Sequence, residues 1–429
     1  MTEAQLEALY QKYQQCQYVS TDSRAAQNNT LFFALNGPNF KGATFAKSVL
    51  QNGALYAVID DATYATDRCI VVEDTLVALQ ELARYHRQKL QIPVIGITGS
   101  NGKTTTKELT SAVLSQKYNT LFTKGNLNNH IGVPLTLLSI RPEHEVAIIE
   151  MGANHLNEIA ALCSIALPTH GLITNIGKAH LEGFGSFEGV ARAKSELYQH
   201  LEKTNGTVFV NSQNEHLMRL SDRLPNKIMY PAPGDFLQLS LVEAAPFVMY
   251  EAENGKQVTT QIIGEYNLEN IAAASCVGKY FEVPLEAINA AISAYTPANN
   301  RSQVVQKGSN TILLDAYNAN PSSMQAAVSN FAQAPAARKV IILGDMFELG
   351  ADSAEEHQKL ADLAASFNFD QVILCGQEMQ VAAEKHPEFI FFADKAALQN
   401  WLRENPPQNT QLLIKGSRGM GLESLLEVL

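Results

Sequence analysis

The chain has 429 residues, of which 46% are apolar and 17% charged, a composition typical of a globular protein with room for about three domains. Its formal net charge of -11 argues against a broad electropositive face for nucleic acid or anionic lipid. The five cysteines form no CxxC pair, which favours a reducing compartment over a secreted disulfide scaffold. Because the sequence has neither a signal-peptide pattern nor an apolar run of ~18 residues, we expect a cytoplasmic protein without membrane insertion.

Up to about residue 90 the chain predicts a small α/β domain. Short apolar runs at 31–35 and 56–59 predict strands, and the periodicity of 76–88 predicts a helix. Pro93 precedes a different pattern, so we place the first domain at 1–90.

The next segment, 91–297, is predicted to be one domain built on a parallel sheet. Its apolar runs end in glycine, polar or acidic residues, and helical periodicity such as that of 104–116 lies between them. Continuous apolar runs of this kind are typical of strands buried on both faces. The predicted strands are 94–98, 146–150, 172–175 and 208–211.

A third domain is predicted at 298–429, after a linker-like segment at 295–300. Strands alternate there with helices, which is the pattern of a doubly wound sheet. The predicted strands are 312–315, 340–344, 372–376, 389–393 and 412–415, and the predicted helices are 322–333, 354–367 and 395–404. The expected fold class is α/β, with a small α/β N-terminal domain, a central P-loop parallel-sheet ATPase domain and a C-terminal Rossmann-like domain.

The clearest motif is a glycine-rich loop between the strand 94–98 and the helix 104–116. Such a loop surrounds a phosphate with backbone N–H groups, while its lysine reaches the β/γ oxygens and its threonine hydroxyl binds Mg²⁺. The strict pattern has glycine where this chain has Ile97, so the loop is a variant, and an ordinary strand-to-helix turn is the alternative. The predicted nucleotide-binding residues are Gly99, Ser100, Asn101, Gly102, Lys103, Thr104 and Thr105.

Two further polar residues follow predicted strands of the same sheet. Glu150 ends the strand 146–150, where an acid in a nucleotide-binding sheet can hold Mg²⁺. The alternative for Glu150 is a solvated strand end. His180 lies beyond the next strand, and a lone histidine is more often structural than a ligand.

Amide-rich segments predict polar ligands. The stretch 125–134 contains Asn126, Asn128 and Asn129, whose amides suit a sugar-like or uridylyl ligand, although turns also use asparagine and glycine. Asn267 and Asn270 lie at the start of a predicted helix, where they either read an adenine edge or cap the helix.

The third domain has polar residues at the carboxyl ends of two predicted strands, where open α/β sheets bind ligands. The alternative is a turn that starts the next helix. The candidates are Asp315, Asn318, Asn320 and Asp345.

In this order the motifs resemble the Mur ligase family of ATP-dependent amide-bond synthetases. The matching segments are 20–24, 31–45, 98–108, 125–138, 149–155, 179–186, 191–196, 264–270, 315–324, 344–350 and 414–420. Among them GNLNN, EMGANH, YNANP and GDMFELG together indicate the member of the family that adds D-Ala-D-Ala.

The resemblance implies a reaction with two substrates besides ATP, a UDP-N-acetylmuramoyl-tripeptide and D-alanyl-D-alanine. ATP would phosphorylate the terminal carboxylate of the tripeptide, and the dipeptide amine would then attack the acyl phosphate. Positioning and charge neutralisation would be the main tasks of such a site. We expect a monomer with ATP and Mg²⁺ as cofactors.

The resemblance also implies roles for single residues. Lys103 would hold the transferring phosphate, Thr104 and Glu150 would bind one Mg²⁺, and His180 would help to bind a second. Lys194 alone would be interpreted as a solvated helix lysine, but it matches the family's carbamylated lysine, with Glu196 two residues later. The implied catalytic residues are Lys103, His180 and Lys194, and Lys194 as a carbamate would be a metal-directed ligand.

Contacts with the substrates are implied as well. Asn267 and Asn270 would contact adenine, and Arg301 and Asp315 would reach the nucleotide as the third domain closes. Residues facing the UDP-muramoyl part would be Ser23, Arg24, Asn126, Asn128 and Asn129, and those near the dipeptide or the nucleotide would be Asn318, Asn320 and Asp345.

Three other functions compete with this hypothesis. A ligase of the same superfamily that adds a single amino acid, or a folylpolyglutamate synthase, would share the phosphate loop and the lysine helix. A nucleotide-driven switch would bind ATP without forming an amide. GNLNN and YNANP argue against the two ligases, and the lysine, threonine and acid together argue against the switch.

Overall fold

A four-stranded parallel sheet forms the centre of the N-terminal domain. The computed structural model describes residues 1–26, 28–297 and 300–429. The strands are β1 (Tyr18–Ser20), β2 (Thr30–Phe33), β3 (Tyr56–Ile59) and β4 (Cys69–Val71), and the helices are α1 (Glu3–Gln14), α2 (Ala46–Gln51) and α3 (Thr75–Lys89). The strands lie in the order β1-β2-β3-β4 with parallel pairing throughout.

The central domain is a six-stranded parallel sheet. Its strands are β5 (Val94–Thr98), β6 (Thr120–Phe122), β7 (Val146–Glu150), β8 (His170–Ile173), β9 (Thr207–Asn211) and β10 (Lys227–Tyr230). They lie in the order β10-β9-β8-β5-β7-β6. The neighbours β5, β7 and β8 therefore bring their carboxyl ends together, at the edge where parallel sheets bind ligands.

Helices cover both faces of this sheet, and a small antiparallel sheet follows it. The helices are α4 (Lys103–Leu114), α5 (Gly132–Leu138), α6 (Glu158–Ala166), α7 (Leu181–Phe184), α8 (Phe187–Lys203), α9 (Glu215–Leu220), α10 (Leu268–Tyr280) and α11 (Leu285–Ala294). The antiparallel strands are β11 (Leu239–Glu243), β12 (Met249–Ala252) and β13 (Gln257–Thr259).

The C-terminal domain is a second six-stranded sheet with helices between its strands. The strands are β14 (Gln303–Lys307), β15 (Asn310–Asp315), β16 (Lys339–Gly344), β17 (Gln371–Cys375), β18 (Ile390–Phe392) and β19 (Gln411–Lys415). The helices are α12 (Pro321–Gln333), α13 (Ser353–Ala365), α14 (Gln380–Lys385) and α15 (Lys395–Glu404). The order is β14-β15-β19-β16-β17-β18, and β14 alone is antiparallel to its neighbour.

The expected three-domain α/β fold is confirmed. The predicted strands 56–59, 94–98 and 146–150 coincide with β3, β5 and β7, and the predicted helix 395–404 coincides with α15. Each of the other predicted elements differs from the observed one by one or two residues at one or both ends. The predicted linker at 295–300 includes residues 298 and 299, which lie outside the described residues. Among the helices that the structure describes, none has the length and apolarity needed to cross a membrane.

Helix α3 fixes the N-terminal domain on the central domain. It packs against α5 and α6, and Leu82 shares one apolar core with Leu137 and Ile159. Arg87 on the same helix is buried and donates to the carbonyl oxygens of Ala166 at 3.1 Å and Leu167 at 3.2 Å. A cation at the carboxyl end of α6 satisfies backbone acceptors that the helix leaves free.

His86 lies buried in this interface between domains. Its Nε2 donates to the carbonyl oxygen of Ile140 at 3.2 Å, and the hydroxyls of Tyr10 and Tyr13 each lie 3.3 Å from a ring nitrogen. Burial lowers the pKa of His86 to about 4. The unfolded chain therefore binds a proton near pH 6.5 that the folded chain does not bind until about pH 4, and stability is lost as the pH falls between these values.

We expect His86 to make the protein acid-sensitive. Lowering the pH from 7.5 to 5 should reduce the free energy of unfolding by about 2 kcal/mol through this group. Urea unfolding at both pH values, for the wild type and for His86→Gln, measures the effect. An equal pH dependence in the two proteins would contradict the assignment.

Candidate active site

A cavity of about 830 Å³ lies between the three domains. Gln80 of α3 contributes from the N-terminal domain, the loop after β5 from the central domain, and the segment after β15 from the C-terminal domain. Predicted site residues that line it are Ser100, Asn101, Gly102, Lys103, Thr104, Thr105, Asn126, Asn128, Asn129, Glu150, His180, Asn267, Asn270, Arg301, Asp315, Asn318 and Asn320. The fold therefore gathers polar groups from distant parts of the chain around one cavity.

The glycine-rich loop joins β5 to α4 as predicted. Gly99 has φ +143° and Gly102 has φ +78°, and a Cβ at Gly99 would lie 1.9 Å from Thr174 Oγ1. Side chains are strained in this backbone region and have no room at Gly99, so the loop requires glycine there. The turn leaves the N-terminus of α4 facing the cavity, a favourable arrangement for an anion.

Lys103 is the first residue of α4 and folds back over the loop. Its Nζ donates to the carbonyl oxygens of Gly99 at 2.7 Å and Ser100 at 3.1 Å. Burial lowers the pKa of Lys103 to about 8; Glu150 opposes this shift and Arg301 adds to it. The Lys103 ammonium is held by neutral carbonyl groups, so its charge is not already neutralised by a hydrogen-bonded carboxylate. Its electrostatic attraction to an arriving anion is therefore stronger.

Glu150 and Thr104 meet at the carboxyl end of β7. The Thr104 hydroxyl lies 2.9 and 3.1 Å from the two carboxylate oxygens of Glu150, and Asn128 Nδ2 donates to Glu150 Oε1 at 2.8 Å. Among the described residues no group of three or more His, Cys, Asp and Glu side chains forms a metal cage. This donor set fits Mg²⁺, which commonly takes one or two protein oxygens and completes its shell with phosphates and water.

Lys107 is a site residue that the sequence reasoning missed. Its Nζ lies 3.7 Å from Glu150 Oε2, and the side chain is buried. The sequence signal that could have found it is its spacing. Lys107 follows Thr104 by three positions and Lys103 by four, and residues at these spacings lie on the same face of a helix.

His180 faces the C-terminal domain. It has φ +52° at the start of α7, and its Nδ1 is in hydrogen-bond contact with Glu348. Burial lowers the pKa of His180, and Glu348 opposes the shift. The predicted role of His180 at a second metal ion stays a prediction.

Lys194 lies on α8, behind the wall of the cavity. The side chain is 1% exposed, and its Nζ donates to the carbonyl oxygen of Ala153, a lining residue, at 3.2 Å. Burial, together with the positive charge of Lys103, lowers the pKa of Lys194 to about 7. This shift favours the neutral, nucleophilic form of the amine near neutral pH.

Glu196 has a structural task of its own. Its carboxylate accepts the backbone N–H groups of Asn157 at 2.7 Å and Ala160 at 2.9 Å, at the start of α6. A carboxylate at a helix N-terminus satisfies free donors and complements the helix dipole. Glu196 therefore joins α8 to the start of α6.

Asn267, which precedes α10, and Asn270, on α10, form a short chain of hydrogen bonds. Asn270 accepts from the Thr106 hydroxyl at 2.9 Å and donates to Asn267 Oδ1 at 2.7 Å, while Asn267 Nδ2 donates to the carbonyl oxygen of Ile263 at 2.8 Å. Although Asn267 precedes the first residue of α10, its side chain makes no capping hydrogen bond. The alternative that Asn267 caps the helix with its side chain is therefore wrong for this residue.

The C-terminal domain contributes a cluster around Asp315. The Asp315 carboxylate accepts from Lys415 Nζ and from the backbone N–H of Ser302. The Arg301 guanidinium stacks on Tyr317, 3.6 Å from the ring centroid, a cation–π contact that limits its motion. The stack leaves Arg301 as a positioned cation at the wall of the cavity.

Asn320 brings the C-terminal domain into contact with the glycine-rich loop. Its Nδ2 donates to Asn101 Oδ1 at 2.8 Å, and its Oδ1 accepts from the Ser323 N–H at 2.9 Å as the cap of α12. The alternative that this segment is a turn that starts the next helix therefore accounts for the contact of Asn320 with Ser323, but not for its contact with Asn101. A second contact joins Lys178 Nζ to Glu356 at 2.7 Å.

Family models match most of the chain. They are the Mur ligase family catalytic domain at residues 15–87, the Mur ligase middle domain at 97–278 and the Mur ligase glutamate ligase domain at 300–418. The chain belongs to the Mur ligase family.

Similar members of the Mur ligase family come from several bacteria. The UDP-N-acetylmuramoyl-tripeptide--D-alanyl-D-alanine ligases of Escherichia coli and Bacillus subtilis are 35% and 34% identical, over 96% and 95% of this chain and 93% and 92% of theirs. MurF from Acinetobacter baumannii has the same fold, with a TM-score of 0.87 and 33% identity over 99% of this chain and 98% of that one. MurF from Thermotoga maritima, solved with ADP, gives a TM-score of 0.84 at 27% identity over 97% of both chains.

Some predicted residues of this Mur ligase family member lie away from the cavity lining. Arg24 is exposed and pairs with Asp22 at 2.8 Å, and Ser23 is its neighbour. Asp345 is buried and accepts from the N–H of Met379 at 3.1 Å. Gly99 forms the turn and, like Lys194, is outside the lining. The assigned contacts of Ser23, Arg24 and Asp345 stay predictions.

Proposed function

We propose that this chain joins D-alanyl-D-alanine to a UDP-N-acetylmuramoyl-tripeptide, with conversion of ATP to ADP and phosphate. The observation that carries the proposal is the position of the phosphate loop and the Thr104–Glu150 pair. Both lie at a polar cavity whose walls are formed by all three domains. Relatives that bear the name of this activity match the chain over nearly its full length, which supports the choice of substrates.

ATP binds with its phosphates at the loop after β5. The N–H groups at the start of α4 and the Lys103 ammonium meet the phosphate oxygens. Asn267 and Asn270 contact adenine, and Asp315 and Arg301 reach the nucleotide from the C-terminal domain. The related structure with ADP supports an adenine nucleotide.

Thr104 and Glu150 hold Mg²⁺, and His180 helps to hold a second ion. Bound there, Mg²⁺ supplies positive charge to the phosphate oxygens. Lys194 carries a carbamate: the neutral amine attacks CO₂, a C–N bond forms, and one proton is released. Its burial and its pKa of about 7 favour the neutral amine that this step requires.

The reaction overcomes the resistance of a carboxylate to attack by an amine. An oxygen of the tripeptide carboxylate attacks the γ-phosphorus, and ADP leaves. The dipeptide amine then attacks the acyl carbon, the bond from that carbon to the phosphate oxygen breaks, and phosphate leaves as the nitrogen loses a proton. Lys103 and Arg301 neutralise the transferring group and fix its direction.

The three domains divide the substrates between them. The N-terminal domain at 1–90 and the residues Ser23, Arg24, Asn126, Asn128 and Asn129 bind the UDP-muramoyl part. The domain at 91–297 binds ATP, and the domain at 298–429, with Asn318, Asn320 and Asp345, binds the dipeptide. Because one chain bounds the whole cavity, a monomer suffices, and the use of ATP and UDP precursors places the reaction in the cytoplasm.

The substrate pair is tested by a matrix of acceptors and donors. Phosphate release and product mass are measured for UDP-muramoyl dipeptide, tripeptide and tetrapeptide, each with D-Ala, D-Ala-D-Ala, D-Glu or a diamino acid. We expect turnover with the tripeptide and D-Ala-D-Ala. Turnover with a single amino acid instead would favour another ligase of the family, and ATP binding without phosphate release in any combination would favour a nucleotide-driven switch.

Closure of the C-terminal domain gives a separate prediction. Glu356→Gln weakens the contact with Lys178 between the C-terminal and central domains. The radius of gyration of the ligand-free protein, measured by small-angle X-ray scattering, should therefore rise. Addition of ATP and the UDP substrate should reverse this rise. Glu355→Gln, an exposed neighbour, is the control. Profiles that neither the substitution nor the substrates alter would contradict closure.

A further inference from the structure

Lys107 is a buried lysine between two carboxylates. It is 1% exposed, and its Nζ lies 3.7 Å from Glu150 Oε2 and 3.8 Å from Glu108 Oε1. Lysine is almost never buried without a partner. Burial lowers the pKa of Lys107, and Glu150 and then Glu108 oppose the shift, so these two carboxylates keep the ammonium in the interior.

The contacts of Glu150 show what this lysine does for the site. Oε1 accepts from Asn128, Oε2 faces Lys107, and the Thr104 hydroxyl lies within 3.1 Å of both. A carboxylate held at both oxygens has one orientation. Without Lys107, Oε2 would keep only the Thr104 hydroxyl, which it shares with Oε1, so the carboxylate would be held less firmly in this orientation.

The second carboxylate near Lys107, that of Glu108, is itself held by a hydrogen bond. Glu108 accepts from the Tyr295 hydroxyl at 2.7 Å. Tyr295 follows the last residue of α11. The ammonium therefore lies within salt-bridge distance of both Glu150 and Glu108, and Lys107 is not among the residues that line the cavity.

We propose that Lys107 is a positioning residue that holds the Glu150 carboxylate in the orientation in which it binds the metal ion. It acts through Glu150 and touches no substrate. The inference rests on the proposed nucleotide and metal site, and it assigns a task to a lysine that the reaction itself does not use.

Metal binding tests the proposal without turnover. The variant Lys107→Met removes the ammonium and keeps an unbranched apolar chain, and free Mn²⁺ is measured by electron paramagnetic resonance in the presence of ADP. We expect about a tenfold loss of Mn²⁺ affinity, the size typical for groups that orient metal ligands. The Mg²⁺ concentration for half-maximal activity should rise by a similar factor, with a smaller change in kcat at saturating Mg²⁺.

Two further variants separate positioning from folding. Lys107→Arg keeps the charge and should restore most of the affinity, and Lys117→Met, which removes an exposed lysine just beyond α4, should behave as the wild type. If Lys107→Met does not fold, Lys107→Gln replaces it with a polar but uncharged side chain. Unchanged Mn²⁺ affinity in a folded neutral variant would overturn the role of Lys107, whereas a wild type that binds no Mn²⁺ with ADP would overturn the proposed site itself.

Discussion

Replacing Lys103 by alanine should abolish turnover, with a fall in kcat of about 10³-fold or more. The side chain is the cation that the loop holds against its own carbonyl groups, ready for the transferring phosphoryl group. Phosphate release and product formation measure the loss. Thermal unfolding should change little, because the side-chain hydrogen bonds of Lys103 go to the carbonyl oxygens of Gly99 and Ser100 and its loss leaves no hydrogen-bonded carboxylate without its partner.

The matched control for Lys103→Ala is Lys117→Ala. Lys117 is exposed and pairs with Glu282 at 3.2 Å, just beyond the end of the same helix. It should retain full activity. Full activity in Lys103→Ala would show that the loop after β5 does not bind the phosphate that is transferred.

Lys194→Ala should lose about 100-fold in activity. This is the upper end of the range for replacing residues that orient or tune the ligands of a metal ion. Added formate or acetate should restore part of the loss, since a small carboxylate can occupy the place of the carbamate. In the wild type, activity should fall as the pH drops below about 7, because the pKa of Lys194 is about 7 and the protonated amine does not react with CO₂.

The control for Lys194→Ala lies on the same helix. Lys203 is exposed near the end of α8, and Lys203→Ala should leave activity, pH dependence and the response to acetate unchanged. Wild-type activity in Lys194→Ala would remove the lysine from the mechanism, and a loss that no small carboxylate relieves would contradict the carbamate.

The parallel core strands were predictable from the sequence because burial on both faces leaves a simple pattern. The runs 94–98 and 146–150 are apolar up to their polar last residues, and β5 and β7 have these bounds. Glu150 could be assigned as a strand-end acid for the same reason. In a parallel sheet the chemistry lies at carboxyl ends, so finding the strands also located much of the site.

Strands at the sheet edges and in the small sheet were harder to find. In β11 only Leu239 is buried, and Ser240, Val242 and Glu243 are exposed, so the strand has no continuous apolar run. In contrast, β14 and β15 pair around a tight turn in which Gly308 has φ +56°. The glycine between two β-rich runs was a usable hairpin signal.

Contacts between domains leave no local pattern at all. Asn101 and Asn320 are 219 residues apart in the chain, and His180 and Glu348 are 168 apart. Each side chain alone fits a turn, a cap or a solvated surface. Their meeting depends on how the C-terminal domain packs on the central one, which motif spacing does not encode.

The most direct test of the proposed chemistry follows the oxygen of the tripeptide carboxylate. The UDP-muramoyl tripeptide is prepared with both oxygens of its terminal carboxylate as ¹⁸O and incubated with ATP, Mg²⁺ and D-Ala-D-Ala, and the released phosphate is analysed by mass spectrometry. Transfer through an acyl phosphate predicts one ¹⁸O atom in each phosphate, with release dependent on the dipeptide. Unlabelled phosphate would contradict phosphorylation of the carboxylate.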